Sequence, residues 1–137
     1  MAFKLEKFKK YEQNLDDGVE VEVTDPLTKS GTGLFVTLVS YESVRVKNAV
    51  RAFTALRPQI RNRAGQMEDK PLSLEEKEKL QRVIELASIV SWRGWDDEAG
   101  KPVPCNDKAK NELLDASSDV REQFDEAASN KLGFFTK

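Results

Sequence analysis

Residues 19–41 read VEVEVTDPLTKSGTGLFVTLVSY, and the architecture turns on this stretch. Val19, Val21 and Val23 alternate with Glu20, Glu22 and Thr24, the period-two pattern of a strand with one face buried and the other in water. Asp25-Pro26 stops that strand, and turn-forming residues continue to Gly33. Leu34 to Tyr41 is then rich in β-branched and aromatic side chains, so the two runs pair as an antiparallel hairpin with a long connection.

Downstream the period becomes helical. Val46, Ala49, Val50, Phe53, Leu56 and Ile60 fall on one third of a helical wheel, which predicts a helix from Ser43, kinked or restarted at Pro58 and ended by Gly65. Ser73-x-x-Glu76 is a capping box, because the two side chains can satisfy free donors of a first turn. The helix it starts places Leu80, Val83, Ile84, Ala87 and Val90 on one face, suited to packing on the preceding helix. SWRGWDDEAGKPVPCND, with two tryptophans, two glycines and two prolines, reads as an ordered non-helical loop. Asp107 to Leu114 forms helix again, and Ser117/Ser118 can cap another that aligns Val120, Phe124 and Ala127 or Ala128. The fold class expected is therefore α+β: an N-terminal antiparallel β-hairpin followed by a mainly α-helical single domain of about four helices.

One domain suffices for 137 residues. Residues 1–18 are expected as a semi-ordered arm or short helix, 19–132 as the globular domain and 133–137 as a C-terminal tail. Charged residues make up 34% and hydrophobic ones 39%, too apolar for a disordered chain. Net charge is −2, which gives no global attraction to nucleic acid or an anionic membrane. No apolar run approaches the roughly 20 residues of a membrane span, and no signal-peptide core is visible. A single cysteine, Cys105, precludes an intramolecular disulfide, and the expectation is a cytosolic protein. There is no histidine, which removes Ser-His-Asp and Cys-His nucleophilic machinery and most zinc schemes.

The remaining candidates are local. Asp96, Asp97 and Glu98 near Gly100 lack the spacing of a calcium loop and read as a solvated acidic turn. Glycines 31, 33, 94 and 100 match no phosphate-binding pattern and read as turn residues. Cys105 has no adjacent cation to activate it beyond Lys101 or Lys108, so its default is a partly buried side chain. Glu42 to Arg63 holds six positive charges against one negative. Within it Lys47, Arg51, Arg57 and Arg61 form a stripe that could meet an acidic protein, where a salt-bridged surface is the plainer reading. Trp92 is expected to anchor its loop to the core, with Gly94, Gly100 and Pro104 shaping that loop, while Trp95 is left open for a partner. No catalytic residue, cofactor or metal is expected.

At the tryptophan loop a wider pattern is complete. The order of hairpin, two helices, tryptophan loop and two short acidic helices resembles the tail assembly chaperones of long-tailed bacteriophages. VEVTDPLTKSGTGLFVTLVSYES (21–43) is similar to that family's opening hairpin, with its Asp-Pro turn, its glycine before the second strand and its serine leading into a basic helix. IVSWRGWDDEAGKPVP (89–104) is similar to its centre through Trp92, Gly94, Asp97, Gly100, Val103 and Pro104. Cys105 departs from the pattern where an apolar residue is usual, and so does Trp95 where a smaller one is. The similarity runs from Val19 to Phe134. It implies a non-enzymatic phage or prophage protein of the host cytoplasm, absent from the virion. Such a protein would bind the tape measure protein while the tail tube assembles, with the major tail tube protein and further copies of itself as additional candidate partners. The alternatives are a small structural phage protein (tail tube, terminator or connector subunit) and, behind it, a nucleic-acid-binding regulator.

Overall fold

The computed structural model describes residues 2–57 and 59–137. In chain order the elements are α1 (Leu5–Asp17), β1 (Val19–Thr24), β2 (Gly31–Leu38), α2 (Val44–Thr54), β3 (Gln59–Arg61), β4 (Met67–Asp69), α3 (Leu74–Ser88), β5 (Ile89–Arg93), α4 (Asp107–Ala116), α5 (Ser118–Ser129) and α6 (Lys131–Phe135). Six helices and five strands among the described residues correct the expected fold class, a hairpin followed by about four helices. The chain is a mixed α/β protein whose hairpin is two-thirds of a three-stranded antiparallel sheet, ordered β1-β2-β5.

The alternation in β1 does set the register. Val21 lies opposite Val36 and Val19 opposite Leu38, while Val36 in turn faces Trp92 of β5. One face of the sheet therefore joins Val23, Val36, Leu38 and Ile89 to Leu114 of α4 and Phe124 of α5, which form the buried core. The opposite face carries Glu20 and Arg93, whose side chains form two hydrogen bonds of 3.1 and 2.8 Å. The Arg93 guanidinium also lies 4.0 Å from the centroid of the Phe35 ring, so a cation covers the aromatic on the open face.

The second strand stops earlier than its composition suggests. Val39, Ser40 and Tyr41 leave the sheet, and their backbone N–H groups donate to the carbonyls of Ser88, Leu15 and Ala128 respectively. Three consecutive donors thus tie α3, α1 and α5 together. β-branched and aromatic residues fit any half-buried extended segment, so composition did not separate a strand from this buried crossing.

Two further boundaries differ. The helix expected from Ser43 to Gly65 ends at Thr54, and the polypeptide returns through the β3–β4 ribbon, with Ile60 opposite Glu68. The residue before a proline is disfavoured from helical ψ, which brings the end forward to Arg57 at the latest. Asn62 closes the ribbon turn by accepting from the N–H groups of Ala64 and Gln66. Ile60 is consequently exposed instead of buried on a helical face. The kink expected at Pro58 lies outside the described residues.

The second boundary is the start of the tryptophan loop, where SWR belongs to β5 and not to a loop. α3 runs into β5 with no glycine cap, and its end carbonyls are taken by cations: Lys110 Nζ donates to Leu86 O (3.1 Å) and Arg45 Nε to Ala87 O (2.8 Å). Those are groups a helix end must satisfy from outside, and the favourable sign is that of the macrodipole.

The starts of α3 and α5 follow the sequence. Ser73 and Glu76 form the reciprocal capping box of α3, and Ser117 accepts from Val120 N to cap α5. α2 packs on α3 as expected of an αα unit. At the ends of the chain, α1 buries Asn14 and Leu15, and α6 buries Phe134 completely. The segment read as a tail thus supplies one of the largest fully buried side chains. Gly18, between α1 and β1, has φ 85° and sits where a Cβ would come within 2.6 Å of Leu38 O, so only glycine fits that close approach.

Candidate functional site

The loop from Gly94 to Asn106 is built on Trp92. Its ring is half-buried on the core side of β5, and its Nε1 donates to Val103 O at 2.9 Å. That bond folds the second half of the loop back over the strand. Val103 N donates to Trp95 O at 2.9 Å, and the two tryptophan rings lie 5.1 Å apart, tilted by 48°. Gly94 has φ 89°, and a Cβ there would lie 1.9 Å from Gly33 O, so the loop leaves the sheet only through a glycine. Gly100 N donates to Asp97 O, which closes the tip.

The acidic turn is occupied with its own backbone. Asp97 Oδ1 accepts from Ala99 N and Lys101 N, both at 2.9 Å, an Asx arrangement that stabilises the turn. Among the described residues no group of three or more His, Cys, Asp or Glu side chains could hold a metal ion. Trp95, Asp97, Val103, Pro104, Lys108 and Glu112 line an open hollow of about 490 Å³ between the loop and α4. Its lining combines the Trp95 ring with four carboxylates, those of Asp96, Asp97, Glu98 and Glu112, against one lysine. Cys105 lies beside the core with Sγ 3.8 Å from Val90 O. Burial pushes its thiol up, against the weaker pull of Lys110 and Arg45, which leaves less of the reactive thiolate.

The basic residues do not form one stripe. Lys47 and Arg51 are exposed on α2, and Arg51 donates to its helix neighbour Asn48 at 3.3 Å. Arg57 is turned inward, donating to Lys70 O at 2.5 Å and lying 3.7 Å from Asp69. Arg61 stands on β3, outside the helix. Arg45, on the same helix as Lys47, is engaged with the end of α3. Arg45 grips the Ile89 end of β5, whereas the tryptophan loop departs from the Arg93 end, so the basic helix and Trp95 serve opposite ends of the sheet. Beyond Lys47 and Arg51, the tip of the α2–ribbon–α3 arm exposes Leu56, Ile60, Met67 and Leu74, with Leu56 85% exposed.

Several organising groups had no sequence signal. Glu85 is 3% exposed and forms a two-pronged ion pair with Arg121, at 2.5 and 2.6 Å. Tyr41 donates to Asp125 at 2.9 Å beside this pair, and burial foremost, then Asp125, push its hydroxyl well above the usual tyrosine range. Arg82 joins Asn111 and Asp115 at 2.8 and 2.7 Å, and this bond holds the Asp115 carboxyl below its ordinary range. Each joins elements tens of residues apart, which no local pattern marks. A fourth group was half visible: Phe3, Phe8 and Tyr11 continue into Phe135 as a row of rings at 5.1, 5.8 and 5.0 Å. No helix among the described residues is long and apolar enough to cross a membrane. No protein-family model, curated protein or solved structure matches the chain.

Proposed function

We propose that this protein is a non-enzymatic phage tail assembly chaperone. In this reading it binds a tape measure protein in the host cytoplasm, promotes tail tube assembly around it and is left out of the finished virion. The resemblance of residues 21–43 and 89–104 to that family supplies the identity of the partner. The observation that carries the reading is the α2–ribbon–α3 arm, where the exposed cations Lys47 and Arg51 lead to the exposed apolar side chains Leu56, Ile60 and Met67. A long helical protein with apolar seams needs cover until its tube is built. Cations orient an acidic helical partner, and apolar contacts supply most of the affinity. The hollow lined by Trp95 offers a second contact, at the other end of the sheet.

Co-expression with the tape measure gene of the same phage tests this. The soluble yield of the tape measure protein should rise, and it should co-purify with the chain. Lys47→Glu with Arg51→Glu should slow association, and Leu56→Ser should weaken the pull-down, with unfolding midpoints unchanged. Arg57 is a poor choice because its side chain holds the ribbon. If the tape measure protein stays insoluble across several truncations while the 137-residue chain is recovered from purified virions, it is a tail tube, terminator or connector subunit instead.

A further inference from the structure

The first helix ends in a surface that the rest of the chain does not use. From its C-terminal end α1 docks Leu15 inward, and Tyr11 meets Phe135 of α6. The same row then continues past α6 into solvent, where Phe8 is 51% and Phe3 73% exposed although the two rings stack on each other. A hollow opens along these rings, and its lining includes Lys4 and Lys7 but no acidic residue.

The N-terminus of α1 adds to the positive character. Lys4 holds the N-cap position and makes no capping bond. Ser43, Ser73, Asn106, Ser117 and Asn130 each accept a backbone N–H at the starts of the other five helices. Lys7 N turns back onto Lys4 O at 3.2 Å, and the first-turn N–H groups that no capping side chain accepts favour an anion, beside two lysines and a stacked aromatic pair.

We propose that this row is the docking site for an acidic amphipathic helix of another protein, whose apolar side chains lie on Phe3, Phe8 and Tyr11 while its carboxylates meet Lys4, Lys7 and the open end of α1. The charge complementarity is local, and this distinguishes a peptide from a bilayer. A bilayer calls for a continuous cationic face, whereas Lys9 is paired with Glu6 at 3.4 Å and Glu12, Asp16 and Asp17 follow along the same helix, so the cations available to a ligand at the rings are the two that line the hollow beside them. A helix carrying an apolar stripe flanked by glutamates matches both halves of the site. This proposal stands apart from the tape measure reading, because none of its residues lies on the α2–ribbon–α3 arm.

The probe is a fluorescein-labelled peptide of about 18 residues, with leucines at i, i+3, i+4 and i+7 and glutamates on the flanks. A control peptide has every glutamate replaced by lysine. Fluorescence anisotropy with the full chain should show saturable binding of the acidic peptide, weakening as salt is raised. Phe8→Ser and, separately, Lys4→Glu with Lys7→Glu should each weaken it about tenfold, with circular dichroism unchanged. Arg51→Glu should leave it unaltered, which separates this site from the proposed tape measure contact. The proposal is overturned if the acidic peptide shows no saturable binding, or if the lysine peptide binds equally well. It is also overturned if the chain binds phosphatidylglycerol vesicles and ignores the peptide, or if the free chain is a dimer that Phe8→Ser dissociates.

Discussion

Replacing Arg121 with methionine should destabilise the protein by about 3 kcal/mol, near the lower end for removing one partner of a buried pair. The Glu85 carboxylate is 3% exposed and is held by two bonds from the Arg121 guanidinium, so the variant would leave a buried charge with its main counter-charge gone. Arg121 itself is 42% exposed in its side chain, and water reaching that side keeps the effect below the largest values recorded for such pairs. For a chain of this length the loss corresponds to roughly 10 °C in melting temperature. The double variant Glu85→Met/Arg121→Met should recover most of the loss, since an apolar pair of similar size leaves no buried charge. Urea unfolding of the three proteins at pH 7 measures all of this. A deficit for Arg121→Met below about 1 kcal/mol, or a double variant no better than the single one, would refute the argument that the buried carboxylate depends on its partner.

Trp92→Ala should lower stability by about 2 to 3 kcal/mol, below the range for a fully buried ring, because Trp92 is only half-buried and also gives up its bond to Val103 O; denaturant midpoints test this. Gly94→Ala should be at least as damaging despite adding one methyl, since the new Cβ would meet Gly33 O, and loss of soluble protein or a sharply lower melting temperature would show it. Tyr41 favours its neutral form in the folded state, so its contribution is full below the ordinary tyrosine pKa near 10 and declines as pH rises from there toward the folded value. Wild type should therefore lose stability above pH 10 more steeply than Tyr41→Phe, as read by alkaline unfolding curves.

Local periodicity was a sound guide where a residue's partner was its near neighbour. The Val19–Val21–Val23 alternation, the Ser73–Glu76 capping box and the Ser117 cap are all readable because they involve contacts a few residues apart or one repeating face. Pattern failed where a segment's role depended on distant chain. SWR was indistinguishable from loop until β2 offered it an edge, and Val39–Tyr41 looked like strand although its donors reach three different elements. The basic segment is the clearest case for the candidate site. Six like charges in the sequence imply one surface, yet Arg45 caps α3, Arg57 pins the ribbon, Arg61 stands on β3 and Arg63 in the turn beyond it, which leaves Lys47 and Arg51 facing out from α2.

What the amino-acid sequence by itself determined was where α2, α3, α4 and α5 begin, the pairing of the first hairpin, and the chemistry that a chain without histidine lacks. All of these depend on side-chain spacing along one segment or on residue type alone. Only the tertiary structure decided that β5 completes the sheet, that Phe134 belongs to the core, that Glu85 is buried against Arg121, and that Phe3 and Phe8 remain uncovered. Burial is a property of what the rest of the chain brings to a residue, and the energy of an ion pair or an aromatic contact exists only once folding has placed both partners within reach.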